Sequence, residues 1–190
     1  METFFLVIVL GLLIWIIILL LPSRPYSTRE SLETHSAESV SLPEVTVLIP
    51  VRNEASTIVK SLSALKDHDP KLKIILIDDQ SIDNTVELAS STEIENLIIL
   101  SGTQLPSGWS GKLWALEQGL KYIDTDYLLL IDADIILKPG LITRILYKAK
   151  KYDIKLVSLM AHLRMVSSWE RLLMPAFVFF FKLLYPFHLS

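Results

Sequence analysis

The hydrophobic pattern changes character twice along the chain. Residues 4–21 form eighteen consecutive positions without a charge, and only Gly11 falls outside the strongly apolar set. At 1.5 Å per residue a helix of that length almost spans a hydrocarbon core of about 30 Å. Residues 1–22 are therefore predicted to be a transmembrane anchor. A cleaved signal peptide would need a basic start and a small-residue cleavage site, and the flanks of this run supply neither. Glu2 precedes the run while Arg24 and Arg29 follow it. That bias predicts a single-pass protein of the cell membrane with the rest of the chain on the cytoplasmic side. Residues 23–43 hold six serines, Pro25 and Pro43, mixed charge and no apolar period, which predicts a linker.

From Val45 onward, short apolar runs alternate with segments of helical period. Strands are predicted over 45–51, 73–78, 97–100 and 127–131, with a fifth over 155–160. Helices are predicted over 55–66 with Asn53 as cap, 83–90 capped by Ser81 or Asp83, 113–122, and 139–152. This alternation predicts an α/β domain over 44–165, a mostly parallel sheet with helices on both faces. Residues 166–190 are aromatic and apolar but interrupted by Pro175, Lys182 and Pro186. They read as a membrane-associated segment, lying on or re-entering a bilayer, with a buried core helix as the alternative.

Composition narrows the chemistry. The hydrophobic share is 51%, and without the first 21 residues it falls to about 47%, ordinary for a globular domain. The surplus belongs to one segment. There is no cysteine, which excludes disulfides, thiolate zinc sites and a cysteine nucleophile. A net charge of −3 with no long basic run argues against nucleic acid as a partner. The four histidines show no ligand spacing, and the basic face of Arg144, Lys148, Lys150 and Lys151 reads as solvated.

In open parallel sheets, ligands bind at the carboxyl ends of the strands. There this chain places Pro50–Val51–Arg52–Asn53–Glu54, Asp78–Asp79–Gln80–Ser81 and Asp132–Ala133–Asp134. Four carboxylates around one crevice repel each other, and a divalent cation, Mg2+ or Mn2+, relieves that repulsion. Along an extended chain, Asp132 and Asp134 would point to the same side. Asp83 reads instead as a helix cap. The loop Gly108–Trp109–Ser110–Gly111–Lys112 leads into a helix and suits a diphosphate. It is not a P-loop, because the first glycine is missing and Leu113 stands where Ser or Thr belongs.

Together these elements resemble the inverting family 2 glycosyltransferases. The match rests on residues 47–54 (VLIPVRNE), 78–85 (DDQSIDNT), Gly111–Lys112 with Ala115, Leu116 and Gly119, and Asp132–Ala133–Asp134. The stretches 105–115, 167–171, 175–181 and 184–187 are similar to the hopene-associated subgroup of that family. The resemblance implies a nucleotide-diphospho-sugar transferase fold behind an N-terminal transmembrane helix. It implies transfer from a nucleotide-diphosphate sugar, a UDP-sugar, to a lipid or membrane-near acceptor. Pro50 and Arg52 would line the base pocket, with Glu54 in the same donor-binding set. Asp79 would contact the nucleoside with Asp78 beside it, and Lys112 would lie near the diphosphate. Asp132 would face ribose or sugar and, with Asp134, the metal. Many relatives carry an aromatic residue where Arg52 stands. The family's later acidic motif, source of the general base, has no match: after Asp134 the acids are Asp153 and Glu170. No catalytic residue is therefore assigned. Glu170, between Trp169 and Arg171, reads as a structural ion pair or interfacial residue. The chain is expected to stop where a donor-binding half ends, and the alternative function is a catalytically incomplete nucleotide-sugar-binding membrane protein. Receiver-like phosphoryl transfer is disfavoured because Lys155 precedes its strand.

Overall fold

The computed structural model describes residues 1–22, 44–66, 68 and 72–185, and the linker predicted over 23–43 lies outside them. The described residues divide into two compact units, 1–22 with 160–185 and 44–159.

In the first unit, α1 (Glu2–Leu20) has 19 residues, an 18-residue stretch of mean hydropathy 3.2 and no buried position. It is long and apolar enough to cross a membrane. This unit also holds a 17-residue helix over Ser168–Leu184, with Pro175 inside it. Pro175 leaves one turn short of a backbone donor without ending the helix. Its start is a capping box: Ser167 Oγ accepts the Glu170 amide at 3.2 Å, and Glu170 Oε2 accepts the Ser167 amide at 2.9 Å. Of the two readings given for Glu170, ion pair or interfacial residue, the ion pair is not the role seen: its carboxylate closes the start of this helix. The Trp15 and Phe179 rings stack at 6.0 Å.

The second unit is a parallel sheet of β1 (Val45–Val51), β2 (Lys73–Asp78), β3 (Leu97–Ser101) and β4 (Tyr127–Leu130), in the order β3-β2-β1-β4. Both inner strands are buried on both faces, so they read as nearly continuous apolar runs, with Thr46 buried inside β1 and half-buried Lys73 and Asp78 at the ends of β2. On one face, Val47, Ile49, Ile74 and Leu76 pack with Ile58, Leu62 and Leu65 of α2 (Ile58–Lys66). Ala89 of α3 (Thr85–Ser90) joins the same core. On the other face, Leu48, Ile75 and Ile77 meet Ala115 of α4 (Gly111–Leu120). Ile142 and Leu146 of α5 (Leu141–Lys151) close the first core; the Ser168–Leu184 helix is α6. Helices cover both faces, as expected.

Three local expectations need correction. α2 begins at Ile58 rather than at residue 55, because the amides of Thr57 and Ile58 both donate to Glu54 O at 3.0 Å and close a turn first. Asn53 does not cap α2, since its side chain is used elsewhere. The predicted fifth strand is not formed over 155–160: Leu156 is 84% exposed and no described strand pairs with that segment.

Candidate functional site

The register brings three strand ends to one edge. Val51 lies opposite Asp78 and Leu48 opposite Leu130, which puts Asp79 and Asp132 just beyond the ends of strands that flank β1. Bonds past the strands extend this alignment, from Asp79 N to Val51 O at 2.8 Å and from Gly102 N to Asp78 O at 2.7 Å.

The loops after β1 and β2 are bonded to each other. Asn53 and Gln80 both adopt left-handed backbone, at φ 57 and 58°, a conformation asparagine tolerates better than most residues. There the Asn53 amide donates to Ser81 Oγ at 2.9 Å, and Asn53 Oδ1 accepts the Ile82 amide at 2.9 Å. The Glu54 amide donates to Thr85 Oγ1 at 2.8 Å and the Ala55 amide to Asp83 Oδ2 at 3.2 Å. Asp83 also accepts the Thr85 amide at 3.1 Å, but it stands one residue before the cap position of α3, which Asn84 holds. The hydroxyl of Thr85, and after it the amides of Ala55 and Thr85, hold the Asp83 carboxyl below its ordinary pKa.

The acids at this edge divide their roles. Asp78 turns back on its own loop and accepts the Ser81 amide at 3.1 Å. Asp79 has a side chain only 14% exposed and is paired at 3.4 Å with Arg52, itself 63% exposed. Glu54 accepts Thr57 Oγ1 at 2.8 Å. Pro50 lies half-buried in β1, opposite Ile77. Against Asp79 comes the first residue of α4: a Cβ on Gly111 would stand 2.7 Å from Asp79 Oδ2, so only glycine fits there undisturbed. The next residue, Lys112, forms an ion pair with Asp132, and both side chains are more than half exposed. Asp134 is exposed and has no ion-pair partner among the described residues.

Asp132–Ala133–Asp134 is not extended. β4 ends at Leu130, and the Ile135 amide donates to Asp132 O at 3.1 Å to form a turn. Ala133 is buried between its exposed neighbours, and its carbonyl accepts Ser61 Oγ at 2.6 Å. Ser61 therefore anchors the turn from α2. It was absent from the sequence-predicted site, although a signal existed: a polar residue in the buried series Ile58, Ser61, Leu62, Leu65.

The expected ring of four carboxylates is not assembled: among the described residues no three Asp, Glu or His side chains are placed to hold a metal ion together. Arg52 and Lys112 neutralise part of the charge instead. Asp132 and Asp134 still offer two exposed hard-oxygen donors on one fixed turn. That donor set suits Mg2+ or Mn2+ when phosphate oxygens and water complete the shell.

The loop after β3 is also held firmly. Gly108 has φ 86°, and the Trp109 amide donates to Pro106 O at 3.3 Å. Trp109 meets Trp114 edge-on at 5.3 Å, and Trp114 Nε1 donates to Thr103 Oγ1 at 3.2 Å. Gln118 Oε1 accepts the Thr103 amide at 2.8 Å.

The family model described as glycosyl transferase family 2 matches residues 46–188. Over 100 residues the chain is 31% identical to 4,4'-diaponeurosporenoate glycosyltransferase of Staphylococcus haemolyticus, covering 52% of this chain and 26% of that protein. Over 98 residues it is 40% identical to poly-beta-1,6-N-acetyl-D-glucosamine synthase of Staphylococcus aureus, covering 50% and 23%. The match thus spans about a quarter of the length of these relatives. The crystal structure of S. aureus TarS shares the fold, with a TM-score of 0.50 and 18% identity over 58% of this chain and 20% of that one.

Proposed function

The chain belongs to glycosyl transferase family 2, an enzyme family, and from that premise we propose that it binds a UDP-sugar at the carboxyl edge of β2, β1 and β4. The proposed reaction is inverting transfer of the sugar to a lipid or membrane-near acceptor. One observation carries the reading: Asp79 meets the first residue of α4, and the next residue of that helix is a lysine paired with Asp132. A helix start bearing a cation is a diphosphate-binding arrangement. In this reading Arg52 and Pro50 border the base, Glu54 and Asp78 shape the two loops, and Asp79 accepts a hydrogen bond from the nucleoside. Lys112 binds the diphosphate. Asp132 and Asp134 would hold a divalent cation, which would stabilise charge on the departing diphosphate. The long apolar α1 supports a membrane-anchored protein working beside its acceptor. The finer proposal, membership of the hopene-associated subgroup, rests on the motif stretches between residues 105 and 187.

A second reading, donor binding without transfer, is favoured by the use made of the later acids. Asp153 pairs with Lys155 at 2.9 Å, and Glu170 closes a capping box. Calorimetry with UDP-sugar and Mn2+ on the detergent-solubilised chain tests the donor site. Binding that weakens at least about tenfold in Asp79→Ala and in Lys112→Ala supports it. No binding by the wild-type chain overturns it. Release of UDP with a membrane acceptor present separates transfer from binding alone.

A further inference from the structure

Both cations at the proposed donor site are already paired with carboxylates, and the two pairs differ in kind. Arg52 is bound to an Asp79 side chain that is 14% exposed, whereas Lys112 and Asp132 are 57% and 55% exposed. An ion pair that open to water is weak and changes partners readily. The two members of this pair also differ in freedom. Asp132 sits on a turn fixed by the Ile135 amide and by Ser61 beneath Ala133. Lys112 swings on a flexible four-carbon stem. Asp134, on the same turn, has no ion-pair partner among the described residues. Lys112, Asp132 and Asp134 together carry one positive and two negative charges. A diphosphate approaching them without a cation meets net negative charge, and the lysine meant for it is engaged.

We infer that Asp132 is an exchangeable counter-ion for Lys112, holding the lysine while the site lacks a divalent cation and releasing it to the diphosphate when a cation occupies Asp132 and Asp134. Asp132 then has two roles: it acts through Lys112 in the cation-free site and would be a ligand in the loaded one. The exchange makes cation and diphosphate bind cooperatively, because each removes the other's competitor. This rests on the donor-site reading above.

The test is a double-mutant cycle read by calorimetry, with UDP as probe and the full chain in detergent. In EDTA, Asp132→Asn is expected to tighten UDP binding roughly fivefold, the upper range for an exposed pair. In a Lys112→Met background the same substitution is expected to change affinity less than about twofold, because no lysine remains to be released. A separate titration with Mn2+ alone is expected to show tighter binding by Lys112→Met than by wild type, since Asp132 is then free. The inference is overturned if Asp132→Asn leaves UDP affinity in EDTA unchanged. It is equally overturned if the gain is the same in both backgrounds, which would mean simple relief of repulsion. A wild-type chain that binds no UDP with or without Mg2+ overturns the donor-site reading as well, whereas one that binds with Mg2+ but fails the cycle overturns only the exchange.

Discussion

An added Cβ at Gly111 would stand 2.7 Å from Asp79 Oδ2, while the next atom, Asp79 Cγ, lies 3.8 Å away. A carboxylate can rotate away from such a contact at small cost, and alanine favours a helix over glycine. Gly111→Ala is therefore expected to keep a melting temperature near wild type. Its effect falls on Asp79, which would be pushed off the position it shares with Arg52. UDP affinity is expected to fall several-fold while the fold persists, measured by calorimetry beside a thermal melt. Binding unchanged in Gly111→Ala would detach Asp79 from the donor. Asp83 offers a residue-scale test of pH. The Thr85 hydroxyl, then the Ala55 and Thr85 amides, hold its pKa down in the folded protein. A depressed carboxyl contributes stability above its unfolded value of about 3.9, and that contribution is lost as pH falls through the lower folded value. Asp83→Asn is expected to lower the melting temperature at pH 7, and that deficit is expected to shrink as pH falls below the ordinary carboxylate range.

α4 lies so close to the sheet that a Cβ on Gly119 would collide with Leu48 Cδ1 and lie 2.9 Å from Ile77 Cδ1. Both side chains are fully buried, so Gly119→Ala has nowhere to relax and is expected to cost about 1–3 kcal/mol by overpacking. A denaturant melt checks this, and a stability unchanged from wild type would mean that α4 sits farther from the sheet. Strands were the elements most legible in the sequence, and packing explains why. A parallel strand covered on both faces is apolar in most of its interior, so β1 matches its predicted run and β2 is the apolar run 74–77 with one half-buried polar residue at each end, Lys73 and Asp78. Helix starts were less legible because bonds from distant loops decide them. Asn53 has the composition of a cap, yet its side chain accepts an amide 29 residues away. The segment 155–160 has strand composition, but no strand among the described residues pairs with it, and a pairing partner is not a local property. The site divides in the same way. That Asp79, Lys112 and Asp132 share an edge follows from strand order, whereas the pairing of each acid with a basic side chain depends on loop conformation.

The whole chain combines a small α/β unit, rich in paired charges at one edge, with a first unit whose α1 buries nothing. A 19-residue helix with an 18-residue stretch of mean hydropathy 3.2 and no buried position would be costly in water. Each exposed apolar side chain forgoes on the order of 1.5–3 kcal/mol available on burial. The helix also satisfies its own backbone, as a segment in hydrocarbon must. The proposed anchor therefore makes a sharp prediction for the centre of α1. Leu12→Arg would place a charge near the middle of the span at a cost of about 2.5–3.5 kcal/mol, whereas Leu12→Ala removes only apolar area. Alkaline carbonate extraction of membranes from expressing cells is expected to leave wild type and Leu12→Ala in the pellet and to move a large share of Leu12→Arg into the supernatant. Equal retention of all three would remove α1 as the anchor. Protease treatment of sealed vesicles extends the test to orientation: with the α/β unit on the cytoplasmic side, it is cleaved in inverted vesicles and protected in right-side-out ones, and the opposite pattern reverses the topology.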